Sequence, residues 1–290
     1  MLPNLIVIGG QKCGTTSLHN YLAAHPQIAM SRDKELDFFT SWGQRRGLAW
    51  YEQHFTRDAP VRGESSPAYT AWPHILGVPE AIHETVPDAR LIYLVRDPVD
   101  RIVSEYLHAV GHGHERRSLI RVAAQPGFEK SPYVAKSRYA TQLARYLELF
   151  DSSQLLVLTQ EALDHERLAT LRQIFAFLGV DESFVSPRFA RRYNKARDWR
   201  GGAALAQRAR DALGEQRFER LTGRVPRPAQ RIGDRMMRRR IATPELPAEL
   251  RRRFVSLLAD DTARLTALTG LDLSHWSTAR VNTGAPAFSR

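Results

Sequence analysis

Apolar residues recur along this chain in two distinct periods. Leu5-Ile6-Val7-Ile8, Ala89-Arg90-Leu91-Ile92-Tyr93-Leu94-Val95 and Gln154-Leu155-Leu156-Val157-Leu158 are short, nearly unbroken apolar runs, the pattern of strands buried on both faces. Elsewhere the apolar positions return every three or four residues, as one buried face of a helix requires. Leu18, Tyr21 and Leu22 do so, as do Ile102, Val103, Tyr106, Leu107 and Val110, and the stretches from Lys136 to Phe150 and from His165 to Leu178. Val61 to Glu64 reads as a further short strand, Pro73 to Thr85 as a helix, and Leu246 to Leu268 as a last long helix. Pro26 ends the first helix, Pro98 opens another and Gly179 closes one. Alternation of buried strands with helices predicts an α/β fold of three layers, a central parallel sheet flanked by helices.

With 290 residues, 43% hydrophobic and 25% charged, the chain can bury one large core. Residues 1–280 are expected to form a single domain, with a basic helical insertion or lid at about 201–245 and a disordered tail at 281–290. No internal repeat interrupts this reading. The formal net charge of +11, carried more by arginine than by lysine, points to an anionic ligand, an acidic substrate or a polyanion. The Arg-rich stretch at 201–245 could serve as a lid, an acidic-acceptor surface or a peripheral membrane contact. No apolar run reaches membrane-spanning length and the first strand begins by Leu5, so a soluble, cytoplasmic protein is expected. Cys13 is the only cysteine, which excludes an intramolecular disulfide and a cysteine-built metal site and reads as a packing residue.

The first strand runs straight into Gly9-Gly10-Gln11-Lys12-Cys13-Gly14-Thr15-Thr16-Ser17 and then a helix, which is the arrangement of an anion-binding loop. Amides at the helix start, around Thr15, Thr16 and Ser17, carry partial positive charge toward a phosphate-like group. The loop is close to a phosphate loop of the Walker type, with Gly9, Gly14 and Thr16 at the right separations. The lysine is displaced, however: Thr15 stands at its position and Lys12 lies inside the turn. A P-loop-like fold with a donor other than ATP follows from that displacement.

Arg96, at the end of the second buried strand, would fall on the same sheet edge as the loop, where open α/β sheets bind ligands. Its guanidinium fork and the Ser104 hydroxyl two turns into the next helix can hold a second anionic group; the competing reading pairs Arg96 with Asp97 or Asp100. A nucleotide hydrolase needs a magnesium-binding acid near that strand end, and an arginine there favours metal-free chemistry. His108 and His112 have helical spacing for a metal, but no carboxylate completes the set, and no metal ligand is assigned. Lys34 and Glu35 read from residue type alone as the solvated face of a loop anchored by Phe38 and Phe39. The basic loop from Arg188 to Arg200 carries Trp199, whose ring could stack on a purine or pack on the domain.

Taken in order, Gly10-Gln11-Lys12-Cys13-Gly14-Thr15-Thr16-Ser17-Leu18, Lys34-Glu35-Leu36-Asp37-Phe38-Phe39, Glu64-Ser65-Ser66-Pro67-Ala68-Tyr69 and Leu94-Val95-Arg96-Asp97-Pro98 through Ser104 resemble the sulfotransferases that use 3'-phosphoadenosine 5'-phosphosulfate. The heparan sulfate type and its bacterial relatives are the nearest in pattern, over about Leu5 to Gly179. The resemblance implies that Lys12, with the loop from Cys13 and Gly14 through Thr15, Thr16 and Ser17, holds the 5'-phosphosulfate, and that Arg96 with Ser104 holds the 3'-phosphate. Glu35 matches the general base, Lys34 would neutralise sulfuryl oxygens, and Trp199 falls near the adenine contact. Adenosine 3',5'-bisphosphate would be the product, with no metal and no nucleic acid involved. The acceptor would be a hydroxyl or amine of a carbohydrate, glycolipid or other small molecule. One departure stands out: many heparan-type members carry lysine where this chain has Ser65, which removes one charge from that network. A P-loop kinase and a non-catalytic basic nucleotide- or polyanion-binding adapter are the competing readings.

Overall fold

Five parallel strands form the centre of the molecule in the order β2-β3-β1-β4-β5. The computed structural model describes residues 1–193 and 243–279; Trp199, residues 201–242 of the basic insertion and the tail at 281–290 lie outside them. The strands are β1 (Leu5–Gly9), β2 (Ile28–Met30), β3 (Val61–Ser65), β4 (Arg90–Val95) and β5 (Leu155–Thr159). Helices α1 (Thr15–Leu22), α2 (Leu48–Glu52), α3 (Val78–Thr85), α4 (Pro98–Gly111), α5 (Leu119–Ala123), α6 (Pro132–Ala135), α7 (Tyr139–Leu147), α8 (Gln160–His165) and α9 (Arg167–Leu178) follow the chain, and α10 (Ala248–Thr269) comes last among the described residues.

Two of the continuous apolar runs became the most buried strands, β1 and β4, whereas the third became β5 at the sheet edge, where Leu155, Leu156 and Val157 are only half-buried because no strand among the described residues covers that side. Every residue of β1 is buried, and so is all of β4 after Arg90. β2, only three residues after His25-Pro26, is too short to show a period and was not expected from the pattern; its register against β3 (Ile28 opposite Val61) makes it an edge strand. Helix starts also moved inward: α3 begins at Val78 rather than Pro73, and α7 at Tyr139 rather than Lys136. The helix expected from about His165 to Leu178 is α9, which begins at Arg167 because Glu166 leaves the helical region (φ −120°); the short α8 before it was not expected. Gly179 closes α9 in a left-handed conformation (φ 68°), as the sequence indicates.

Asp97 settles the start of α4: its carboxylate accepts from the amides of Val99 (2.8 Å) and Asp100 (3.2 Å), while Pro98 takes the first turn, where its missing N–H costs nothing. A second apolar cluster joins α4 to α5 and α10 through Val99, Ile102, Leu119, Phe254 and Leu258. Asp261 of α10 also caps α7, accepting from the amides of Ala140 (2.9 Å) and Thr141 (3.0 Å). The α10 helix is thereby tied to α4, which carries Ser104, and to α7.

Candidate active site

A cleft of about 590 Å³ opens over the carboxyl ends of the strands, and each of the five contributes to its lining. β1 delivers Gln11 to Ser17 except Cys13, the loop after β2 delivers Glu35, the turn after β3 delivers Pro67, and β4 and β5 end at Arg96 and Gln160. The sheet therefore does what the sequence could only suggest: it brings Lys12, Glu35 and Arg96, from three separate loops, to one edge.

The loop after β1 is fixed from below. The amide of Gly10 donates to the Leu94 carbonyl (2.5 Å) and that of Cys13 to the Gly10 carbonyl (3.1 Å). Gly14 (φ 92°) turns the chain into α1 through a left-handed conformation that a side chain would strain. Amides of the first helical turn have no intrahelical acceptor, so those of Thr15 and Thr16 are free to bind an anion at the cleft wall. Ser17 is placed differently: its amide donates to the Gly14 carbonyl (2.9 Å), and its hydroxyl bridges the amide (3.1 Å) and carbonyl (3.2 Å) of Tyr193. Ser17 thus secures the chain at Tyr193. Cys13 is buried beneath the loop, its Sγ 3.6 Å from the Tyr139 hydroxyl, and burial pushes its thiol up to about 11. Its side chain belongs to the packing.

Lys12 holds a left-handed backbone (φ 70°) at the centre of the loop. Burial draws its ammonium below the usual lysine range, with Glu105 and Glu35 acting in the opposite sense. Across the cleft Glu35 is also left-handed (φ 64°), and its side chain, 55% exposed, pairs with the Lys34 ammonium at 2.6 Å. Lys34, mostly buried, does not line the cleft itself and reaches it only through this pair with Glu35. Among the described residues, only Lys12, Glu35 and Asp37 combine a side chain with positive φ, and strain of this kind persists where the surroundings impose it.

Arg96 directs one guanidinium nitrogen to the Lys12 carbonyl (3.3 Å) and another to Asp100 (3.4 Å), while its Nε is buried without a partner among the described residues. Both contacts are long, the Nε leaves donor capacity unused by the described residues, and Ser104 lines the same cleft. His108 lines the cleft one turn further along α4, and burial, followed by the charge of Lys12, pulls its imidazole down to about 4. His112 turns its Nδ1 to the His108 carbonyl (2.9 Å) instead.

Sequence reasoning missed the network under the loop. Lys136 donates to the Gln11 side chain (2.8 Å) and meets Glu105 at 3.2 Å; Glu105 also pairs with Arg101, which is fully buried and donates from Nε to Ser137 (2.6 Å). Burial would raise the Glu105 carboxyl, but Arg101 and Lys136 outweigh it and hold it low. The spacing of Arg101 and Glu105 by four, on the apolar face of a helix, was the available signal. Asp164, Arg192 and Gln160 were missed as well; Arg192 and Asp164 pair at 2.7 Å on the wall nearest Tyr193.

The model of the sulfotransferase domain matches residues 2–195 of this chain, a span that contains all these loops. The chain belongs to the sulfotransferase domain family. Among similar proteins, the membrane-associated sulfotransferase kil1 of Dictyostelium discoideum is 41% identical over 110 residues, covering 36% of this chain and 22% of that protein. A mouse bifunctional heparan sulfate N-deacetylase/N-sulfotransferase 4 is 28% identical over 208 residues, 62% of this chain and 22% of that protein. The chain thus matches about a fifth of the length of these relatives. A crystal structure of a sulfotransferase from Alicyclobacillus acidocaldarius superposes with a TM-score of 0.67 at 26% identity, over 95% of this chain and 99% of that one. The P-loop-like α/β reading and the family resemblance of the four motifs are therefore correct. Within the described residues of this sulfotransferase-family chain, no helix is long and apolar enough to cross a membrane.

Proposed function

We propose that this chain transfers the sulfuryl group of 3'-phosphoadenosine 5'-phosphosulfate to a hydroxyl or amine of a carbohydrate, glycolipid or other small-molecule acceptor. The observation that carries the reading is the convergence of Lys12, the open amides of Thr15 and Thr16, and the Glu35 carboxylate on one cleft. The residues fit the donor: the helix N-terminus suits its 5' group, and the Nε of Arg96, without a partner among the described residues, suits a second phosphate together with Ser104. When bound, the donor supplies the sulfuryl group; all else is done by the chain.

Lys12, partly desolvated, offers an ammonium to negative charge developing on the departing phosphate, in an environment where that charge is poorly screened by water. Glu35, on the facing loop, accepts the proton from the acceptor hydroxyl or amine as its lone pair attacks. The Lys34 ammonium, 2.6 Å from the Glu35 carboxylate, restrains its orientation. The names of relatives that act on heparan sulfate support a sugar acceptor and an amine as one option. Ser65, which stands where the heparan-type pattern implies a lysine, is buried away from the cleft, so heparan sulfate itself is not the assigned substrate.

Titration with adenosine 3',5'-bisphosphate in the absence of metal should show tighter binding than ATP with magnesium; the reverse order would favour a kinase. Labelled donor should then be offered to a panel of amino sugars, glycolipids, phenols and water. Glu35→Gln should lower transfer by about 10²–10⁴-fold, the usual contribution of a positioned base. Unchanged transfer would remove Glu35 from that role, and absence of turnover with retained polyanion binding would reveal an adapter.

A further inference from the structure

Glu35 lies in a stretch, residues 31–37, with no helix or strand of its own, yet its backbone is held in a left-handed conformation. Its amide donates to the Ser65 carbonyl at 2.9 Å. Ser65 is the last residue of β3 and is fully buried; its hydroxyl stands 3.1 Å from Nδ1 of His19. His19 in turn belongs to α1, one turn beyond Thr15 at the mouth of the anion cradle. Two hydrogen bonds therefore join the helix that would grip the donor to the loop that carries the carboxylate.

We propose that His19 and Ser65 are positioning residues that set Glu35 against the donor cradle. The inference rests on the reading of Glu35 as the base. Ser65 does not line the cleft, so its action passes through its carbonyl to the Glu35 amide, and its hydroxyl fixes the strand end against α1. His19 is suited to a strut because it is buried and uncharged: burial, then the nearby Lys34 ammonium, draws its imidazole down to about 4, with the Ser31 backbone opposing. A cation at this point would compete with Lys34 for Glu35; a neutral imidazole supplies a hydrogen bond without doing so. In-line attack tolerates little displacement of base from acceptor, and a shift of about 1 Å can cost about 10²-fold in rate.

The test uses the full chain, adenosine 3',5'-bisphosphate as the binding probe, and labelled donor with the fastest acceptor of the panel above, water included. Ser65→Ala and His19→Ala should each lower kcat by about 10–100-fold, while bisphosphate affinity and donor KM stay within about threefold. Ser65→Thr and His19→Asn, which keep a hydrogen-bonding group in place, should recover most of the rate and also cover the case in which an alanine variant fails to fold. Because the pair acts through Glu35, Ser65→Ala combined with Glu35→Gln should be no slower than Glu35→Gln alone. The proposal is overturned by wild-type kcat in both alanine variants, by bisphosphate affinity falling in step with kcat, or by independent losses that multiply in the double variant. If Glu35→Gln alone leaves transfer unchanged, it is the base assignment that fails, and that single variant reports it separately.

Discussion

Lys12 and Glu35 enter one cleft from the ends of different strands, and each does so with a left-handed backbone, φ 70° and φ 64°. Left-handed conformations cost a side-chain-bearing residue roughly 1–2 kcal/mol, and of the three described residues that bear this cost, Lys12, Glu35 and Asp37, two are those to which the proposed function gives the chemistry. Replacing Glu35 by glycine should therefore stabilise the fold by about 1 kcal/mol, a rise of about 2 °C in melting temperature, while transfer falls by about 10²–10⁴-fold. Calorimetric melts beside rate measurements check both halves; a glycine variant that melts earlier than the parent would show that the backbone is not strained at this position.

Arg96 should read the second phosphate of the donor through its fork. Arg96→Ala is expected to weaken adenosine 3',5'-bisphosphate by about 10–100-fold, the worth of a charge-assisted hydrogen bond or two, and to change adenosine 5'-monophosphate little. Arg96→Lys should restore only part, because a single ammonium cannot reproduce the geometry of Nε and its neighbours. Equal losses for the two nucleotides by titration calorimetry would place Arg96 elsewhere in the site.

Acid should destabilise the fold through two buried imidazoles. His19 and His108 are both drawn from 6.5 to about 4, burial being the largest cause in each. The unfolded chain takes up protons near 6.5 and the folded chain does not, so this stability is complete above that pH and is lost as pH falls toward 4. Each imidazole contributes a slope of at most about 1.4 kcal/mol per pH unit in that window. Denaturant titrations between pH 7.5 and 4.5 should show the fall, and His108→Gln should flatten it; a variant with the parent's slope would contradict the burial of His108.

Gly43 supports the Glu35 loop by having no side chain. A Cβ there would lie 2.0 Å from the Asp37 carbonyl oxygen and 2.7 Å from Cα of Phe38, both backbone atoms that can move only with the loop. Gly43→Ala should destabilise the protein by about 1–3 kcal/mol and lower kcat more than it lowers bisphosphate affinity. Parent-like melting and kcat would show that the loop yields freely.

Much of this protein was determined by its sequence alone. Unbroken apolar runs at β1 and β4 read as strands buried on both faces and are so, the run at β5 read as a strand though its edge position leaves it half-buried, and the glycines after β1 read as a tight turn whose lysine is displaced to position 12. Local rules act over a few residues, and these features are local. Only the tertiary structure decided which separate loops meet. The edge strand β2 was too short to declare itself, yet its place beside β3 is what carries Glu35 to Lys12. The left-handed backbones of Lys12 and Glu35, the Ser17 hydroxyl bound to Tyr193, and the buried Arg101–Glu105–Lys136 network depend on partners up to 176 residues away. No periodicity encodes such contacts, because they follow from the order of strands in the sheet and from what each buried polar group must find once water is gone.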